Sequence, residues 1–134
     1  MTNFEKYNER LGIECSVDYW SDEAIDEAII YLKEFSVNDW MMLSEQLWNR
    51  DVIWQARCAE TMSSITTEKS VPILMELLNS SNEEVVEAAV DSLNSLAQLG
   101  ANLVFTKQQL DILNSLVVKN GLIGMVASRL LKLS

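Results

Sequence analysis

The sequence lacks the residues on which most enzyme chemistry depends. Among its 134 residues there is no histidine, so the commonest general base and the commonest nitrogen ligand for metals are both missing. The four glycines stand at positions 12, 100, 121 and 124, without the spacing of a phosphate-binding loop or a dinucleotide-binding turn. A serine or cysteine nucleophile would have no histidine partner. We therefore predict no catalytic, cofactor-binding or metal-binding residues and expect that the protein is not an enzyme.

Turn-forming residues, long apolar runs and cysteines are also scarce. Pro72 is the single proline, which disfavours a turn-rich β-sandwich and suits long helices joined by short loops. The apolar runs are far shorter than the roughly 20 residues that span a bilayer, and the charged N-terminus lacks a signal peptide's apolar core. We expect a cytoplasmic protein that makes no membrane contact. Cys15 and Cys58 are without metal-ligand spacing; we expect reduced thiols, with a disulfide as the less favoured alternative.

Basic residues are outnumbered two to one. The chain has 20 acidic and 10 basic residues, a net charge of −10. The distribution is uneven, because residues 1–100 contain 19 acids and 6 bases whereas residues 101–134 contain one acid and four bases. Such a chain is repelled by phosphate backbones, so we expect no direct nucleic-acid binding. The same field attracts a basic protein; the alternative is that the acidity only maintains solubility.

The sequence contains a helical repeat with a constant offset of 31 residues. Ser36, with Asp39 three residues later, is typical of a helix N-cap, and so is Asp51 before the following helix. One shared offset across two helices and their connection indicates a repeated helix–turn–helix unit. The matched apolar positions are Trp40, Leu43, Leu47, Trp54, Cys58, Met62 and Ile65 in one unit and Val71, Leu74, Leu78, Val85, Ala89, Leu93 and Leu96 in the next.

These patterns predict a single all-α domain over residues 1–134. Residues 1–35 form an N-terminal cap, in which Ser21 begins a capping helix and Trp20 serves as its hydrophobic staple. Helical hairpins follow at residues 36–66, 68–99 and 106–133, and their stacking forms a short α-solenoid. The third hairpin is assigned apolar positions at Leu110, Leu113, Leu116, Leu122, Met125, Val126 and Leu130.

Residues 69–99, KSVPILMELLNSSNEEVVEAAVDSLNSLAQL, resemble a HEAT repeat. The pattern of that family has a proline early in the first helix, then leucines, a polar turn and a second helix with a Val, Ala-Ala and Leu series. The corresponding residues are Pro72, Leu74, Leu77, Leu78, Val85, Ala88, Ala89 and Leu93. The sequence departs from the family at Val86, where a basic residue is common.

A narrower resemblance is to the bacterial immunity proteins of contact-dependent inhibition and polymorphic toxin systems. It depends on the short acidic chain, the HEAT-like hairpins and the series Trp40, Trp48, Trp54 and Arg57. It implies an inhibitor that binds a cognate basic toxin domain, often a nuclease, and occludes its functional surface. The alternative is a small HEAT-like adaptor or scaffold. The oligomeric state favoured here is a monomer, in which the apolar C-terminal helix caps the solenoid; the alternative is that this helix pairs with a second copy of the chain.

The candidate binding residues form three groups. A polar stripe on the second helix of a hairpin consists of Glu84, Glu87, Asp91 and Asn94. The equivalent stripe one repeat earlier consists of Ile53, Ala56, Glu60 and Ser63, so Glu60, Glu87 and Asp91 are expected on one acidic surface; a solvated helix face is the alternative. Trp48, beside a turn, is a candidate interface anchor. The remaining candidates are Asp22 and Asp26, which lie in one acidic helical turn; a divalent-cation site and a solvated helix N-terminus are the alternatives.

Arg57 lies on the inner side of its predicted helix. If it is buried, we expect it to need an acidic partner, because an unpaired buried charge is costly.

Overall fold

A computed structural model describes residues 1–65, 68–119 and 121–133, and these ranges contain helices and no strand. The all-α prediction is therefore confirmed. Two irregular turns interrupt the α-helices: a π-helical turn at Trp20–Ala24 and a 3₁₀ turn at Leu47–Asn49. The α-helices are α1 Asn3–Leu11, α2 Val17–Tyr19, α3 Ile25–Lys33, α4 Val37–Gln46, α5 Val52–Thr61, α6 Ser70–Leu77, α7 Glu83–Gln98, α8 Lys107–Val117 and α9 Leu122–Leu133.

Polar N-caps fix where several helices begin. Ser36 and Asp39 form the predicted capping box of α4, and the Asp51 carboxylate accepts the backbone N–H of Trp54 at the start of α5. Asn82 caps α7 in the same way. Asp51 and Asn82 are 31 residues apart, so the equivalent helices of the two repeat units begin at equivalent positions.

The helical run that contains α3 begins earlier than the predicted start at Ser21. Ser21 is not an N-cap, because it lies inside the π-helical turn that joins α2 to α3. Ser16 caps this helical run instead, and its hydroxyl accepts the backbone N–H of Tyr19. Trp20 is buried at 3% exposure, so it is a core residue of the helical run.

The tertiary packing forms a row of helices. α3, α5, α7 and α9 pack side by side in chain order. Three of them also pack against an earlier helix: α3 against α1, α7 against α6 and α9 against α8. α4 packs mainly against α1. None of the helices in the described ranges combines the length and apolar character needed to cross a membrane. The predicted end of the first hairpin at residue 66 lies outside the described residues.

The repeat positions supply much of the core. Most of the matched apolar residues are buried, whereas Trp40 and Val71 are half-buried at its edge. The prediction for the last helix is partly wrong, because Leu122 and Met125 are 73% and 57% exposed. Gly124, Val126, Ala127 and Leu130 form the buried side of α9 instead.

Candidate functional site: an acidic groove

A groove of about 570 Å³ lies where α3, α5 and α7 meet. Four of the predicted binding residues line it together, namely Glu60 from α5 and Glu84, Glu87 and Asp91 from α7. The rest of the lining is small or apolar, formed by Ile25, Ser63, Ala88, Ser92 and Ser95. The structure thus brings Glu60 and the three acids of the predicted α7 stripe onto one concave surface, whereas the fourth member of that stripe, Asn94, is buried and does not line the groove.

The α7 side of the groove is a consequence of helical spacing. Glu84, Glu87 and Asp91 follow one another at intervals of three and four residues, so they share one helix face. The opposite face of α7 is buried through residues such as Ala89 and Leu93. The Ser92 hydroxyl donates a 2.6 Å hydrogen bond to the carbonyl oxygen of Ala59, which attaches α7 to α5 beside the groove.

A hydrogen bond from a residue 40 positions earlier in the sequence orients the Glu60 side chain. The buried indole of Trp20 donates from Nε1 to Glu60 Oε2 at 3.2 Å. The Trp20 ring also contacts a cation: the Cζ atom of the Arg57 guanidinium lies over the ring, 4.9 Å from its centre. Glu60 remains half-buried, so one carboxylate oxygen is engaged by the fold and the group still lines the groove.

The groove carboxylates have no cationic partner within the described part of the chain. The ion pairs found there join Arg10 to Glu27 and Lys119 to Glu83, and neither includes a groove residue. Desolvation raises the pKa of Asp91 above its ordinary value, because a carboxylate removed from water is less readily ionised. A cation beside Asp91 would lower this pKa again, because an opposite charge favours the ionised carboxylate.

The carboxylates act as separate acceptors and do not form a metal cage. Across residues 1–65, 68–119 and 121–133, no three acidic or cysteine side chains converge closely enough to hold a metal ion. Carboxylates spread along a helix face can each accept a charge-assisted hydrogen bond from an ammonium or guanidinium group.

Three predicted binding residues lie outside the groove. Trp48 is 47% exposed at the turn between α4 and α5, and its Nε1 donates to Glu76 of α6 at 3.3 Å. Asp22 and Asp26 are both exposed on the helical run of α2 and α3. Neither of these aspartates lines the groove, although Ile25 between them does.

The expectation that a buried Arg57 needs an acidic partner is wrong. Arg57 is 8% exposed and donates to the backbone carbonyl oxygens of Leu11 and Ile13 at 2.9 and 2.8 Å. It also contacts Cys15 Sγ at 3.4 Å. Backbone carbonyl oxygens and the Trp20 ring compensate the guanidinium charge instead of a carboxylate.

Both cysteines are free thiols, and burial raises the pKa of Cys58 to about 12.

Comparison of the chain with protein-family models, curated proteins and solved structures gives no match. The geometry of the groove therefore carries the functional argument by itself.

Proposed function

We propose that this protein is an inhibitor that holds a basic protein domain in the acidic groove between α3, α5 and α7. The observation that carries the proposal is the convergence of Glu60, Glu84, Glu87 and Asp91 in one groove without a cationic partner among the described residues. A basic protein would supply the positive charge that these carboxylates lack, and complementary charge across an interface speeds association and fixes the register of the two partners.

The architecture that we propose for this role is a short α-solenoid of HEAT-like hairpins. The row of α3, α5, α7 and α9 supports it, and so does the 31-residue offset between the starts of α5 and α7. In this arrangement each helical pair buries its apolar face against the next pair. The rigid row keeps the carboxylates of α5 and α7 in fixed relative positions, which lowers the entropy cost of binding.

The basic partner that we propose is a toxin domain, with the chain as its immunity protein. A nuclease is a suitable example, because a surface that binds phosphate backbones must be positively charged. Carboxylates in a groove compete with phosphates for the same lysines and arginines, so the inhibitor occludes the functional surface of the toxin. The net charge of −10 also accelerates the encounter with such a partner.

The test uses three versions of the tagged chain, namely the wild type, a groove variant and a matched control, as bait in cells that produce the protein. The stoichiometry of each captured protein is measured, and its association rate with each version is then compared. The groove variant is Glu84→Lys/Glu87→Lys/Asp91→Lys. Glu60 is left unchanged because it accepts the Trp20 hydrogen bond. The matched control, Glu9→Lys/Glu45→Lys/Asp111→Lys, changes the net charge equally at exposed positions outside the groove.

We expect one stoichiometric basic partner, and association at least about tenfold slower for the groove variant than for the control. The captured partner should also lose its toxic activity when the wild-type chain is present. Equal rates for the two variants would assign the groove no role. Several substoichiometric partners would support the adaptor alternative.

A further inference from the structure

The two ends of the helix row carry surfaces of opposite charge. α3 stands at one end, where it contacts α5, and α9 stands at the other, where it contacts α7. Neither end helix has a further row neighbour within the described residues, whereas α5 and α7 each have one on both sides. These outer faces are separate from the acidic groove.

The α3 end combines acids with exposed apolar side chains. Asp22 and Asp26 are exposed there, and neither forms an ion pair within the described ranges. Ile30, which follows Asp26 by four residues and therefore shares its helix face, is 61% exposed. Val17, at the start of the same helical run, is 79% exposed.

The α9 end has the complementary composition. Leu122 and Met125 are 73% and 57% exposed, and Arg129 and Lys132 follow them on the exposed side of the helix. Neither of these two cations is in an ion pair with a described acid. In stacked repeats a helix face that no neighbouring repeat covers is normally polar, so the exposed leucine and methionine favour this face as a binding surface.

We propose that the α9 end of one copy binds the α3 end of a second copy, so that the helix row continues from chain to chain. Arg129 and Lys132 would face Asp22 and Asp26 of the next copy, with apolar side chains buried between them. Charge selects this arrangement over symmetric ones, because pairing two α9 ends or two α3 ends would oppose like charges. The interface is heterologous, so each copy keeps one free end and assembly passes beyond a dimer.

The net charge of −10 opposes association of whole chains, so the contact is expected to be weak and visible at high concentration. Sedimentation equilibrium up to about 1 mM should show the mass rising above the 15.2 kDa of one chain. This departs from the monomer expected from the sequence. A constant mass of one chain over that range would overturn the proposal.

Charge-swap variants make the test specific. Asp22→Lys/Asp26→Lys makes both ends basic, and Arg129→Glu/Lys132→Glu makes both ends acidic, so each should weaken association at least about tenfold. The quadruple variant restores opposite ends and also restores the wild-type net charge of −10; it should associate as the wild type does. All positions are exposed, and unchanged helicity by circular dichroism verifies folding.

Either double variant associating as strongly as the wild type would contradict the charge pairing. A quadruple variant that stays monomeric would contradict the head-to-tail arrangement. Because the groove residues are unaltered in all of these variants, capture of a basic partner by the groove is measured independently of self-association.

Discussion

Gly124 is a position where the packing of the fold opposes helix propensity. It lies in the first turn of α9, directly against the end of α8. A Cβ atom at this position would lie 2.3 Å from the carbonyl oxygen of Lys119, 3.2 Å from that of Leu116 and 3.3 Å from that of Val117. All three obstacles are backbone atoms, so an alanine is accommodated only if α9 moves away from α8 by about 1 Å, which opens a closely packed contact.

The two effects of Gly124→Ala have opposite signs and can be compared. Helix propensity alone predicts that alanine stabilises the fold by about 1 kcal/mol. Overpacking costs about 1–3 kcal/mol, and the separation of α9 from α8 adds lost burial at residues such as Leu113 and Leu130. We expect a net loss of about 2 kcal/mol in the free energy of unfolding, which for this chain length lowers the melting temperature by roughly 8 °C.

The assay is urea and thermal unfolding followed by circular dichroism, with Gly12→Ala as the matched control. Gly12 has φ of −91°, and the nearest atoms to its added Cβ would lie at 3.5 and 3.8 Å. Alanine fits there, so the control should be unchanged or more stable by up to about 1 kcal/mol. If Gly124→Ala melts at or above the wild-type temperature, the close contact between α8 and α9 is wrong.

Two further predictions concern buried polar groups. Burial raises the pKa of Asp39, but hydrogen bonds from the backbone N–H groups of Ser36 and Phe4 outweigh this effect and lower the pKa below its ordinary value. The charge of Asp39 therefore stabilises the fold above pH ~4 and ceases to do so as the pH falls through the lowered pKa. In urea unfolding between pH 6 and pH 2, the wild type should lose about 1–2 kcal/mol more stability than Asp39→Asn. Equal losses in the two proteins would refute this role. Arg57→Lys should lower the free energy of unfolding by about 2–3 kcal/mol and speed proteolysis within residues 12–16. The reason is that a single ammonium does not reproduce the planar contacts of the guanidinium with the carbonyl oxygens of Leu11 and Ile13. Unchanged cleavage would show that these hydrogen bonds do not hold that segment in place.

The repeated part of the fold was predictable because its signals are local. Ser36 and Asp51 are N-caps, and an N-cap is defined by residues within one helical turn. Apolar spacing then fixed which side of α5 and α7 is buried. The correct positions of Cys58 and Ala89 in the core follow from that spacing alone.

Local signals failed at α9 and before α3 because tertiary contacts decide there. Two overlapping stripes are available on α9, and spacing alone does not show which of them is buried. Gly124 faces inward, where carbonyl oxygens at and just after the end of α8 leave no room for a Cβ atom. Before α3, a π-helical turn shifts the register, so Ser21 lies inside the helix and Ser16 caps it. Neither the π-helical turn nor the close approach of α8 to Gly124 has a short-range sequence signature, so the sequence did not show that Ser16, and not Ser21, is the N-cap.

The acidic stripe of the groove was predictable, but the support beneath it was not. Helical spacing places Glu87 and Asp91 on one face of α7, and the repeat offset relates that face to Glu60 on α5. The hydrogen bond from Trp20 to Glu60 joins residues 40 positions apart, and the contacts of Arg57 with the last residue of α1 and the segment after it join residues more than 40 positions apart. Such contacts are set by how the helical pairs stack, and a single sequence does not specify this.

Neighbouring residues of α3 separate the two proposed surfaces. Successive residues of an α-helix point about 100° apart, so Ile25 lines the groove while Asp26 stands outside it. A partner in the groove would therefore contact α3 from a different side than a second copy at the end of the row. The two proposed contacts are compatible, and an assembly of several copies would present one acidic groove per chain. Charge reversal at Asp26 should then leave groove binding intact, whereas reversal at Asp91 should leave self-association intact.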